Sequence, residues 1–86
     1  MKGIDYMEMP KETRKAIKKL INYLLKEQRS FETHYYDLIS TFKIIIVNDK
    51  LNYDKIRELV NSAQCSVSNI TKSTTITYMF EWDEEE

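Results

Sequence analysis

Every turn beyond residue 10 of this chain must be made without glycine or proline, because its one Gly is Gly3 and its one Pro is Pro10. Asn, Asp, Ser and Lys are left to reverse the chain, and element boundaries are correspondingly soft. The same scarcity removes any Gly-rich loop for cradling phosphates. At 86 residues the chain forms one domain. A domain of this size buries only about 60–65% of its extended-chain surface, so its core is small. Its 42% hydrophobic and 12% aromatic content is still that of a folded protein, although 31% of the residues are charged.

Pro10 suits the first position of a helix, where its missing N–H would have no partner anyway. Met9 before it is a poor cap, so this end is expected to fray. Ala16, Ile17, Leu20, Ile21, Leu24 and Leu25 then recur at helical spacing and make one broad apolar face. The pattern predicts a helix over residues 10–29, about 30 Å long.

Residues 30–37, SFETHYYD, admit two readings. As strand, Tyr36, Leu38, Phe42, Ile44 and Ile46 share a face. As helix, Leu24, Gln28, Phe31, Tyr35, Leu38 and Phe42 follow one another at spacings of three and four. The β-branched and aromatic run STFKIIIV at 40–47 favours a strand over about 35–47. Asn48-Asp49-Lys50 turns the chain, and Asn52 caps a second helix over about 52–63, with Tyr53, Ile56, Leu59, Val60 and Ala63 as its apolar stripe. A weaker strand near 65–70 and a turn near 71–73 follow. The clearest strand is the last: Thr74, Ile76, Tyr78, Phe80 and Trp82 alternate with Thr75, Thr77, Met79 and Glu81.

The expected fold is therefore α+β, a two-layer sandwich in α-β-α-β-β order. A right-handed crossover through the second helix lays the last strand between the other two. That gives a three-stranded antiparallel sheet with both helices on one face. Residues 1–9 read as an N-terminal arm and Asp83 to Glu86 as a mobile acidic tail.

Several kinds of chemistry are disfavoured by what is present. No run of about 18 apolar residues exists to span a membrane, and MKGIDYMEMPKE has no secretory apolar core, so an intracellular, cytoplasmic setting is expected. One His and one Cys make neither a His/Cys metal cluster nor a disulfide within the chain. Cys65 and His34 form a nucleophilic pair only on paper, since no orienting third group is evident. Asp54 and Glu58, at i and i+4, read as a solvated like-charged pair rather than an acid–base couple. No catalytic residue, cofactor, metal or small-molecule substrate is indicated.

What remains is KETRKAIKKLINYLLKEQR, residues 11–29. On a helical wheel Lys11, Lys15, Lys18, Lys26 and Arg29 form one column, flanked by Arg14 and Lys19, opposite Leu20 and Leu24. Residues 1–30 hold eight cations and four anions (+4), while residues 31–86 hold five cations and ten anions (−5); the sum is the chain's −1. A near-neutral protein can still present a positive ridge. The ridge reads as a solvated helix face, as a contact for an acidic protein partner, or as a phosphate-binding row with His34, Tyr35 and Tyr36 as stacking groups. Helices on one face also leave the other face of the sheet open. Ile39, Ile45, Val47 and Met79 are expected there, as a face for oligomer formation unless the N-terminal arm covers it. The leading expectation is a non-catalytic interaction module or small accessory subunit that self-associates or joins a larger complex. Nucleic-acid binding through the ridge is the alternative.

Overall fold

The structure, a computed structural model, describes residues 9–47, 50–61, 63–68 and 74–83. In chain order the elements are α1 (Lys11–Lys26), β1 (Phe31–Tyr36), a single 3-10 turn (Asp37–Ile39), β2 (Thr41–Val47), α2 (Tyr53–Val60), β3 (Cys65–Ser68) and β4 (Thr75–Glu81). The class is α+β, with two helices and an antiparallel sheet. The sheet has four strands, not three, in the order β1-β2-β4-β3. The expected strand over 35–47 is broken at residues 37–40, and most of the 30–37 segment that admitted two readings is a strand of its own, folded back on β2 as a hairpin.

The extra strand follows from the turn at residues 37–40. The Ser40 N–H donates to the Asp37 carbonyl, and Ser40 itself takes φ 50°, ψ 54°, the left-handed region. The Thr41 hydroxyl donates to the Ile39 carbonyl at 2.8 Å, and the Tyr35 hydroxyl donates to Asp37 Oδ1. Four residues thus reverse the chain around a 3-10 turn and one left-handed residue, a common hairpin loop. Tyr36 therefore faces away from Phe42, Ile44 and Ile46 instead of sharing their face.

The first helix stops at Lys26, short of the expected residue 29. Arg29 donates to the Leu24 carbonyl and Gln28 to the Leu25 carbonyl, the two bonds of a Schellman stop. Gln28 occupies, at φ 57°, the left-handed position that glycine usually fills. At the start no side chain caps the helix; Pro10 stands in extended conformation and its carbonyl accepts from Arg14. The second helix is capped as expected, Asn52 Oδ1 accepting from the Lys55 N–H at 3.1 Å. Arg29 ties the two helical segments together by donating to the Lys50 carbonyl at 2.6 Å.

One apolar cluster holds the layers together. Ala16, Ile17, Leu20, Ile21 and Leu24 of α1 and Ile56 and Val60 of α2 pack on Phe42, Ile44, Ile46, Ile76, Tyr78 and Phe80 of the two central strands. Both helices cover the same face, as the alternation in β4 requires. Leu25 is the exception on α1: it is 58% exposed. It stands seven residues after Lys18 and so lies on the flank of the stripe. Tyr53 of α2 is likewise at the surface. Among the described residues no helix is long and apolar enough to cross a membrane. Residues 1–8 of the arm, 48–49 and 71–73 of the expected turns, and 84–86 of the tail lie outside the described residues. Met9 is buried and Asp83 exposed.

Candidate interaction surfaces

The uncovered face of the sheet is read off the strand register. Glu32 lies opposite Ile45, and Ile45 opposite Thr77; His34 lies opposite Lys43, and Lys43 opposite Met79. Tyr36, Thr41, Val47, Thr75, Glu81, Ser66 and Ser68 complete this face by alternation. Ile45 and Met79 are half-buried by their neighbours, and Val47 is exposed. Three of the four expected oligomer-face residues therefore share one surface. Ile39 does not. It stands in the hairpin turn, 66% exposed, beside Leu38 at 96%. The turn that splits the long strand is what removes Ile39 from the face.

The same surface carries a polar and aromatic group that strand alternation alone does not reveal. The Tyr36 ring stacks on the His34 ring with centroids 6.3 Å apart and planes 19° apart. Lys43 Nζ sits over the Tyr36 ring at 5.3 Å from its centroid, within cation–π range. His34 Nε2 meets Glu32 Oε1 at 3.2 Å. The only hint of this group in the sequence is a pair of turn formers, Asp37 and Ser40, bracketing Leu38-Ile39. Tyr35 faces the other way. It packs against Phe42 and stacks on Trp82, so it belongs to the core side and is no stacking group for a ligand on the open face.

The cationic helix is divided in use. Lys11, Lys15, Lys19 and Lys26 are exposed, and Arg14, Lys18 and Arg29 are half-buried. Arg14 Nη2 donates to the Met9 carbonyl at 3.3 Å, while Arg29 is held by Lys50. Both arginines thus bind the protein's own backbone. The exposed lysines point away from the sheet, whereas His34, Tyr36 and Lys43 lie on its far side. Phosphate-row cations and stacking rings do not converge on one ligand.

Cys65 and His34 are not brought together. They lie on the two edge strands, three strand spacings or about 14 Å apart. Cys65 faces the helices and His34 the open side. Burial pushes the Cys65 thiol up to about 12, so the thiolate a nucleophile needs is scarce near neutrality. Among the described residues no three His, Cys, Asp or Glu side chains gather as a metal site. Asp54 and Glu58 are exposed on α2.

Comparison of the chain with known protein families, with curated proteins and with solved structures finds no match to any of them.

Proposed function

We propose that this protein is a non-catalytic interaction module, a small subunit that self-associates or joins a larger protein complex through the open face of its sheet. The observation that carries the reading is the placement of Ile45, Val47 and Met79 on a face that no described element covers, next to the Tyr36–Lys43 pair. Apolar side chains bordered by polar ones are the composition of a protein contact. A domain with so small a core also gains stability from association. Ile45→Asp tests it. The variant is expected to keep its fold and lose mass in solution by sedimentation; an unchanged sedimentation profile would count against the face.

A second reading has its own support in the exposed Lys11, Lys15, Lys19 and Lys26 along the outer side of α1. Sixteen helical residues span about 24 Å, long enough to follow several phosphates. Nucleic-acid binding through four such contacts should weaken with salt at a log–log slope of about −3 to −4. Affinity indifferent to salt excludes it. Ten carboxylates in residues 31–86 argue for the protein partner as the first reading.

A further inference from the structure

We infer that two copies of this chain pair antiparallel along β1, with Thr33 on the twofold axis, to make one continuous eight-stranded sheet. The inference rests on the reading of the protein as an interaction module and adds a second surface with a stated occupant.

β1 is an edge strand, joined to β2 on one side and meeting no other strand among the described residues. Which of its backbone groups face outward follows from two hydrogen bonds. The Val47 N–H donates to the Ser30 carbonyl at 3.5 Å, so Ser30 and Val47 are a hydrogen-bonded pair and Glu32/Ile45 and His34/Lys43 follow by alternation. On the other side of β2, the Trp82 N–H donates to the Ser40 carbonyl. That turns the even residues of β2 toward β4 and its odd residues toward β1, in agreement. The N–H and C=O groups of Phe31 and Thr33 consequently point away from the sheet. Exposed edges are usually blunted by lysine, proline or a bulge. FETHYY contains neither lysine nor proline, and its register with β2 runs unbroken from Phe31 to Tyr36. The opposite edge, β3, is shorter at four residues.

The geometry leaves few registers. Outward groups can pair only with outward groups, so a twofold axis must pass through a residue and not between two. An axis at Glu32 sets Glu32 against Glu32 of the other copy, a like-charge pair directly opposite. An axis at His34 sets the two imidazoles against each other and Glu32 against Tyr36. An axis at Thr33 sets Glu32 of each copy opposite His34 of the other, twice, in the closely spaced positions of the ladder. These two groups already make this contact within one chain at 3.2 Å. The same axis pairs Thr33 with Thr33 and Phe31 with Tyr35, an aromatic pair of the kind that stabilises sheets. It also brings the Asp37 end of one strand beside the Arg29 end of the other. Complementarity of hydrogen-bonding groups and of backbone direction thus selects one register. A twofold contact of this kind closes on itself and does not propagate.

The test is a charge exchange read by sedimentation across a concentration series. The wild type is expected to rise from 10.3 kDa to twice that mass through β1, and beyond it where the open face also joins copies. His34→Glu sets two carboxylates opposite one another at both positions and should raise the association midpoint about tenfold or more, while Glu32→Lys removes the carboxylate that accepts from the imidazole and should raise it less. An equimolar mixture of the two variants sets the introduced lysine against the introduced glutamate, leaves the native Glu32–His34 pair at the other position, and should associate as heterodimers near the wild-type midpoint. Thr33→Pro provides a second check. Its lost N–H faces solvent in the single copy, so the chain's own ladder keeps every bond, but the pairing across the axis does not. If both charge variants associate like wild type while Ile45→Asp does not, the edge pairing is overturned and the open-face reading stands. If the wild type stays at 10.3 kDa up to millimolar concentration, edge pairing and self-association fall together.

Discussion

Tyr35 and Trp82 stack with ring centroids 6.4 Å apart and planes 15° apart, although β1, which holds Tyr35, and β4, which Trp82 follows, are not neighbours in the sheet. The contact reaches past Phe42 and joins the end of the first hairpin to the end of β4, where the Trp82 N–H also donates to Ser40. Trp82→Ala is expected to cost about 1–3 kcal/mol, the loss of a half-buried ring and of its aromatic pairing. The denaturation midpoint followed by circular dichroism measures it; a midpoint equal to wild type would mean that the hairpin end is not held this way.

Gln28 closes α1 in a conformation that costs an L-residue with a Cβ roughly 1–2 kcal/mol. Gln28→Gly removes that strain and adds back some chain entropy, so a net gain of about 0.5–1 kcal/mol is expected. Asn52→Ala should move the other way by about 1 kcal/mol through loss of the cap bond to Lys55. Chemical denaturation of the pair, compared in one buffer, reads both signs; a destabilised glycine variant would contradict the helix stop.

Ile44 and Ile45 are adjacent in sequence and opposite in role. Ile44 is fully buried under the helices, and Ile45 stands half-covered on the far face. Ile44→Ala is expected to cost about 2–5 kcal/mol. Ile45→Ala should cost less than half of that. Equal losses at the two positions would show that something covers the open face within one copy.

Burial raises Cys65 from 9.0 to about 12 and Tyr78 from 10.0 to about 12, in Tyr78 with smaller contributions from Cys65 and Tyr53 against Arg57. Both groups hold their protons more tightly when folded. Their stabilisation is complete below about pH 9 and is lost as pH rises toward 12. Thermal unfolding between pH 8 and 11 should show a falling midpoint. Cys65→Ala should flatten the lower part of that fall, and a profile unchanged by the substitution would assign it elsewhere.

The parts of the fold that were legible in the sequence are those written in one period. Ala16 to Leu24 carry the helical repeat, and Ile76 to Phe80 the alternating one, and both landed on the shared core. The hairpin was not legible because Ser40 enters the left-handed region without the glycine or asparagine that normally marks it, and because Leu38 and Ile39 continue the apolar run through the turn. Those two exposed side chains made 35–47 look like one strand. Leu25 misled for a related reason: it adjoins the apolar stripe on the wheel yet falls past its edge. Of the candidate surface residues, Ile45, Val47 and Met79 lie together, whereas Arg14 and Arg29 are held by backbone carbonyls. The His34–Tyr36–Lys43 group required the register of β1 on β2, which depends on the missed turn.

Reversing Lys15, Lys18 and Lys26 to Glu alters the outer side of α1 and neither the sheet face nor the β1 edge. Solution mass should not change. A triple variant that turns monomeric where the wild type is not would move the contact from the sheet to the helix.

The most direct measurement for the account as a whole is the mass of the wild-type chain by sedimentation equilibrium over a wide concentration range, alongside Ile45→Asp. The account predicts an average mass that climbs above 10.3 kDa for the wild type and climbs less for the variant. A mass fixed at 10.3 kDa for both, at every concentration, would contradict it.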